Sequence, residues 1–126
     1  GKHILIAEDN RINQMVTKKI LEKDGVICTV VENGKDAVYA SKKGGYDLIL
    51  MDVNMPIMGG IDATKTIRLN CNIPIIALTA VEIEEMRQSI LDSGMNDIII
   101  KPYDVNAFKR VIIKNILDYQ KTQRLI

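Results

Sequence analysis

The sequence predicts an α/β domain in which five parallel strands alternate with five helices. Five apolar runs of strand length recur along the chain, at residues 3–7, 26–31, 47–51, 73–78 and 97–100. Each run is continuous rather than alternating with polar residues, which is typical of strands covered on both faces by helices. Segments of helical period separate the runs, and the connections are short. Right-handed crossovers then give a doubly wound sheet.

The first helix follows the first strand almost directly. Ile12, Val16 and Ile20 recur every four residues, as on one side of a helix. The side chain of Asn10 can cap the start, and Gly25 ends the pattern as a C-terminal glycine does. We therefore predict a helix between Asn10 and Gly25 whose apolar stripe faces the core.

Three further helices are predicted from their boundaries and stripes. They cover residues 33–43, 60–69 and 82–93. Asn33 can cap the first of these, which ends at Gly44. The third has three acids in its first turn, where the positive end of the helix dipole favours them, and it ends at Gly94. Met86 and Ile90 belong to its apolar stripe.

The last helix has the clearest helical period. Asp104 can cap its start. Its apolar positions are Val105, Phe108, Val111, Ile112, Ile116 and Tyr119. The polar segment 120–126 is expected to fray.

Composition indicates one ordinary globular domain. The 126 residues are expected to form a single domain, 1–126, excised from a larger protein. With 47% apolar residues and a net charge of +1, the chain has no overall field that would attract nucleic acid or an anionic membrane. The two cysteines lie in no metal-binding pattern, and no apolar stretch is long enough to span a bilayer. We expect a cytoplasmic location.

Polar residues follow four of the predicted strands. Glu8 and Asp9 follow the first, Asp52 the third, Thr79 the fourth and Lys101 the fifth. In open α/β sheets, ligands bind at the carboxyl ends of the strands. Each of these residues taken singly is an ordinary loop residue, but their joint placement predicts one active site.

The chemistry of this set points to metal-assisted phosphoryl transfer. Two carboxylates ~4 Å apart repel by about 4 kcal/mol at an effective dielectric of about 20, so Glu8, Asp9 and Asp52 need a cation, and oxygen donors suit Mg²⁺. A carboxylate beside the metal, Asp52, can attack phosphorus and form an acyl phosphate. The Lys101 ammonium and the Thr79 hydroxyl can balance the phosphoryl oxygens. The small Ala80 beside Thr79 lets a backbone amide approach.

These residues coincide with the motifs of a known family. The motifs are Ala7-Glu8-Asp9-Asn10, Met51-Asp52-Val53-Asn54-Met55-Pro56, Thr79-Ala80 and Lys101-Pro102. Over nearly the whole chain they resemble the receiver domain of two-component response regulators, of the CheY-like superfamily, and most closely the receivers of hybrid sensor histidine kinases.

The resemblance implies a flavodoxin-like sheet of order 2-1-3-4-5 and a role for each site residue. Asp52 would be the phosphoacceptor. Asp9, Asp52 and the Asn54 carbonyl would bind Mg²⁺, with Glu8 acting through water. Thr79 and Lys101 would contact the phosphoryl group. The donor would be a histidine kinase or a histidine phosphotransfer domain. The domain would then catalyse only its own phosphorylation and dephosphorylation.

The chain departs from the family pattern at Ile98 and at Gly59, where an acidic or amide residue often precedes the glycine. Receivers commonly carry Tyr or Phe three residues before the lysine, and here that residue is Ile98. A docking module with the receiver fold but no phosphorylation is therefore a second hypothesis. A metal-dependent phosphatase with an Asp nucleophile is a third, which Asn54 disfavours because such enzymes place a second aspartate there.

Overall fold

The computed structural model describes residues 1–80, 84–101 and 104–124 and contains the predicted alternation of strands and helices. The elements in chain order are β1 His3–Ala7, α1 Arg11–Glu22, β2 Ile27–Val31, α2 Gly34–Lys43, β3 Leu48–Asp52, α3 Gly60–Ile67, β4 Ile75–Thr79, α4 Glu84–Asp92, β5 Asp97–Ile100 and α5 Val105–Arg124. The prediction that the fourth helix starts at Glu82 falls outside the described residues, as does Pro102.

The strands form one parallel sheet in the order β2-β1-β3-β4-β5, which confirms the expected topology. The register places Ile4 opposite Leu48 and Ile49 opposite Ile75. One apolar cluster lies between the sheet and helices α1 and α5, and it includes Leu21 and Phe108. A second cluster lies under α2, α3 and α4 on the other face. The sheet is thus covered on both sides, and the carboxyl ends of its strands share one edge.

The edge strand β2 differs from the prediction of full burial. Every residue of β3 and β4 is buried, whereas β2 is only half-buried and Ile27 is largely exposed. The reason is position in the sheet, because β2 has a neighbouring strand on one side only. A continuous apolar run therefore did not by itself distinguish a central strand from an edge strand.

Helix α1 is confirmed, but its predicted apolar stripe is confirmed only at Ile20, which packs against the apolar cluster that includes Leu21 and Phe108. The Asn10 side chain accepts a hydrogen bond from the Asn13 N–H, as expected of a cap. Thr17 and Leu21 are the buried residues of the helix, while Ile12 and Val16 are exposed. Each step of four residues turns about 40° beyond a full circle. The stripe therefore winds away from the core towards the start of the helix.

The last helix is longer than expected. Helix α5 continues to Arg124, so the prediction of fraying from residue 120 is wrong. The segment after residue 119 has no proline or glycine, so nothing in its local chemistry ends the helix. Among the described residues, no helix combines the length and apolarity that a membrane span would require.

Candidate active site

The sheet brings the polar residues singled out in the sequence to one edge. Asp52 and Thr79 are the last residues of β3 and β4, whereas the sequence predicted them to be the first residues after these strands. Both are buried. Glu8 follows β1 and its N–H donates to the Val31 carbonyl at 3.0 Å. Lys101 follows β5 and its N–H donates to the Thr79 carbonyl at 2.7 Å. Backbone hydrogen bonds therefore hold these positions.

Lys101 joins the two buried carboxylates. Its Nζ lies 2.7 Å from Glu8 Oε1 and 3.3 Å from Asp52 Oδ2. Glu8, Asp9 and Asp52 each offer a carboxylate oxygen within 4.8 Å of the others. Glu8 is almost fully buried, and Asp9 is exposed at the mouth of the site. One ammonium thus faces a cluster of three acids.

The electrostatics of the site show an excess of negative charge. Burial raises the pKa of Glu8, and the hydrogen bond and charge of Asp52 raise it further, against the opposing effect of Lys101. Burial would lower the pKa of Lys101, but the hydrogen bond to Glu8 and the charges of both acids overcome it, so that this pKa is raised. Lys101 therefore stays protonated at neutral pH, while ionised Glu8 is costly.

The donor set fits a small divalent cation. Three carboxylates against the Lys101 ammonium leave two uncompensated negative charges when all are ionised. All the side-chain donors are oxygens, the ligands that Mg²⁺ prefers, and Asp9 is open to solvent for a hydrated ion. Glu8, Asp9 and Asp52 could therefore hold Mg²⁺.

The loop after β3 shapes the mouth of the site. The Asn54 N–H donates to Asp52 Oδ1 at 3.0 Å, which orients the carboxylate. The Gly60 N–H donates to the Val53 carbonyl at 2.9 Å and closes the loop. A Cβ on Gly60 would overlap the Asp52 carbonyl, so helix α3 can start this close to the strand only with glycine there.

Two supporting residues escaped the sequence analysis. The Gln14 amide donates to the Glu8 carbonyl at 2.5 Å and ties α1 to the end of β1. Gly34 approaches the loop after β3 so closely that a Cβ would overlap the Met58 carbonyl. Neither had a local signal, since a glutamine in a helix and a glycine after a capping asparagine are both common.

The remaining predicted residues lie around this cluster. Ala80 follows Thr79 and is exposed. Asn54 is also exposed. Ile98 lies in β5 opposite Ala77 and packs against the apolar cluster that contains Ile90. Its side chain is therefore part of the packing beneath α4.

Comparisons with known proteins agree with this geometry. The family model of the response regulator receiver domain matches residues 4–113. The chain is 38% identical to hybrid signal transduction histidine kinase I of Dictyostelium discoideum over 131 aligned positions, and the alignment covers 96% of the chain and 8% of the kinase. The chain spans between 7% and 13% of the length of this kinase and two other sensor kinases that it resembles.

Two solved receiver structures are similar over most of the chain. One is the receiver domain of the sensor histidine kinase PA1611 of Pseudomonas aeruginosa, with a magnesium ion coordinated in its active-site cleft: TM-score 0.87, 38% identity, 92% of the chain and 98% of that domain. The other is the receiver domain of Ssk1 of Saccharomyces cerevisiae, crystallised with the histidine phosphotransfer protein Ypd1: TM-score 0.85, 33% identity, 90% of the chain and 88% of that domain.

Proposed function

The chain belongs to the response regulator receiver family, and from this membership we propose that Asp52 accepts a phosphoryl group from a phosphohistidine. The observation that carries the proposal is that a cation and two further carboxylates surround Asp52. The Lys101 ammonium contacts its carboxylate at 3.3 Å, and the other two acids lie within 4.8 Å. A nucleophile, a phosphate-balancing cation and a metal-binding cluster therefore occupy one edge of the sheet.

In the proposed step, an Asp52 carboxylate oxygen forms a bond to phosphorus as the bond from phosphorus to the donor imidazole nitrogen breaks. The phosphoryl group moves onto the aspartate as an acyl phosphate. The leaving imidazole nitrogen keeps the electron pair, and the proton already carried by the other ring nitrogen of the donor makes the released histidine neutral. The Asn54 N–H hydrogen bond holds the carboxylate in place before the step. No external oxidant, reductant or nucleotide is required.

The other site residues balance the charge of the transferred group. Lys101 would turn from the two carboxylates to a phosphoryl oxygen, and Thr79 would donate its hydroxyl to another. Thr79 ends β4 and Lys101 follows the neighbouring strand β5. The Lys101 N–H donates a hydrogen bond to the Thr79 carbonyl, which holds the two residues side by side. Ala80 leaves room for the phosphoryl group.

Magnesium is the proposed cofactor. Asp9, Asp52 and the Asn54 carbonyl would hold the ion, with Glu8 acting through water. When bound, Mg²⁺ neutralises charge on the phosphoryl oxygens. The magnesium ion in the cleft of the PA1611 receiver supports this assignment, as does the acidic cluster of this chain.

The proposed partner is a histidine kinase or a histidine phosphotransfer domain. A protein donor must bring its imidazole against Asp52, so its body must cover the rim of the site. Ile12, Met15 and Val16 on α1 form an exposed apolar surface beside that rim, here called the α1 patch. The complex of the Ssk1 receiver with Ypd1 supports a partner of this kind.

The proposed parent protein is a hybrid sensor histidine kinase in which residues 1–126 form one receiver domain. Several sensor kinases among the relatives support this origin, as does the small share of their length that the chain covers. We place the domain in the cytoplasm, where a kinase can transfer phosphate to it. Kinase activity would belong to other parts of the parent.

Intact mass after incubation with acetyl phosphate and Mg²⁺ tests the proposal. We expect one phosphoryl adduct that requires Mg²⁺ and is absent from Asp52→Asn. Asp62→Asn, which changes an acid in the first turn of α3, is the matched control and should be labelled like the wild type. Labelling of Asp52→Asn at the same site would refute the phosphoacceptor assignment. Failure of the wild type to take phosphate or bind Mg²⁺ would favour the docking module.

A further inference from the structure

Strand β2 is an edge strand whose outer side is open for pairing. The Ile27 N–H donates to the Lys2 carbonyl at 2.8 Å, so Ile27 bonds to the β1 side of the sheet. Successive residues of a strand direct their N–H and C=O groups to opposite sides. The N–H and C=O groups of Cys28 and Val30 therefore point away from β1, towards a side on which the described residues contain no further strand.

The two edges of the sheet differ in how they are protected. Native sheets usually carry charged side chains or prolines on their edge strands, which prevent pairing with another chain. The opposite edge strand, β5, begins with Asp97, whose carboxylate accepts hydrogen bonds from the Ile98 N–H at 2.9 Å and from the Asn115 amide at 3.1 Å. Residues 27–31 of β2 include neither a charged side chain nor a proline. Strand β2 thus lacks the protection that β5 has.

A second copy of the same strand fits this edge in one register. In an antiparallel pair, two residues that face each other can exchange both of their N–H···O=C hydrogen bonds. If Thr29, the middle residue of β2, faces Thr29 of the second copy, each Cys28 faces a Val30, and the strands form about four hydrogen bonds. Centring the pair on Cys28 or on Val30 would give about half as many within the strand.

The side chains and charges are complementary in this register. Ile27, which is 56% exposed, would be covered by Val31 of the second copy, and the two Thr29 side chains would form a cross-strand pair. Lys2 lies beside the amino end of β2, Glu32 follows its carboxyl end, and both are exposed. Antiparallel pairing brings the Glu32 end of one copy to the Lys2 end of the other, whereas parallel pairing would bring like charges together.

We propose that β2 is a dimerisation edge, on which two copies of this chain pair their β2 strands antiparallel around Thr29 and join their sheets into one. A two-fold pairing of this kind uses the same edge of both copies, so the assembly closes as a dimer. The joined sheet would then end on both sides in β5, the protected strand. The proposal is independent of phosphotransfer, since none of the paired residues belongs to the acidic cluster.

Disulfide crosslinking tests the register. Thr29→Cys, in a chain whose Cys28 and Cys71 are replaced by serine, puts two thiols on the two-fold axis with a Cα separation of about 4.5 Å, which a disulfide can span. Ile27→Cys in the same background is the matched control, because the side chain of Ile27 lies on the same face of the same strand but its two copies would be more than about 13 Å apart. Under mild oxidation, we expect Thr29→Cys to form the crosslinked dimer at least about tenfold faster than Ile27→Cys. Equal rates would overturn the proposed pairing.

Sedimentation equilibrium of residues 1–126 tests the dimer itself. We expect the wild type to approach the mass of a dimer as its concentration rises to about 1 mM, and Thr29→Lys, which places two ammonium groups on the axis, to remain a monomer. Leu69→Lys is the matched control, because Leu69 is 79% exposed but follows α3, and this variant should dimerise like the wild type. A wild type that remains a monomer would overturn the proposal and leave the edge to a strand of another protein. Dimerisation of Thr29→Lys as strong as that of the wild type would place the contact on another surface and overturn it as well.

Discussion

Replacing Lys101 with methionine removes the ammonium that contacts Glu8 at 2.7 Å and Asp52 at 3.3 Å. We expect this variant to be less stable at neutral pH, because the buried carboxylate of Glu8 loses its compensating charge. Methionine has a similar length and no charge, so the change isolates electrostatics from packing. Lys109→Met is the matched control, since Lys109 contacts Asp24 at a comparable 2.9 Å.

The expected loss of stability in Lys101→Met follows from the distances between the charges and from their burial. At an effective dielectric of about 20, the attraction at these two distances is about 6 and about 5 kcal/mol. Much of this is offset by desolvation, since only 19% of the Lys101 side chain and 2% of the Glu8 side chain are exposed. Breaking such a pair costs ~3 kcal/mol because one buried charge is left uncompensated. Lys109 and Asp24 are 31% and 49% exposed, and their pair should contribute less than ~1 kcal/mol.

The effect should depend on pH in a defined direction. The pKa of Glu8 is raised above its usual 4.5 in the folded protein, so stability is full below that value and is lost as the pH rises through the raised pKa. Lys101 lowers the pKa of Glu8, so replacing it raises this pKa further, and the loss of stability between low and neutral pH becomes larger. The stability difference between the wild type and Lys101→Met should therefore be large at pH 7 and small at pH 4.

Urea unfolding at several pH values, with and without Mg²⁺, measures the prediction. Glu8→Gln introduced together with Lys101→Met should recover most of the lost stability, because the buried charge is then absent. Mg²⁺ should stabilise Lys101→Met more than the wild type, since it supplies the missing positive charge. The reasoning is refuted if the destabilisation is equal at pH 4 and pH 7, or if Lys109→Met destabilises as much as Lys101→Met.

Two further predictions concern the geometry and the metal affinity of the site. Gly60→Ala should destabilise the domain by ~2 kcal/mol in urea unfolding, because the new Cβ would overlap the Asp52 carbonyl. Gly59→Ala should be tolerated, because its Cβ would lie 3.3 Å from the Val53 carbonyl. Equal stability of the two variants would contradict the close approach of Gly60 to Asp52. Mg²⁺ affinity should fall as the pH is lowered through the raised pKa of Glu8, since protons then compete for its carboxylate. Mg²⁺ titrations between pH 7 and pH 4 should show that the affinity depends less on pH in Glu8→Gln than in Asp62→Asn.

The elements and the identity of the acidic cluster could be predicted from local sequence. Asn10 and Asn33 cap the helices that they were expected to cap, because capping requires only a side chain and a backbone amide three residues away. Glu8 and Asp52 meet because parallel strands bring their carboxyl ends to one edge. That convergence follows from topology alone.

The direction of exposed and buried faces could not be predicted in the same way. Ile12 and Val16 follow a helical period, yet they point away from the core. Their orientation depends on which side of α1 meets the sheet, and this is set by Thr17 and Leu21 further along the helix. The loop after β3 is likewise held from another element, since the Gly34 N–H at the start of α2 donates to the Met58 carbonyl at 2.9 Å.

The sequence by itself determined the alternation of strands and helices and the set of residues available at the carboxyl edge of the sheet, because caps, periods and strand ends are local properties of the chain. Only the tertiary structure decided that the Lys101 ammonium pairs with Glu8, 93 positions away, and that Ile57, in the loop after β3, has a positive φ of 69° and an exposed side chain. The reason is that contacts between distant residues depend on how all the elements pack at once, and local sequence carries no record of that packing.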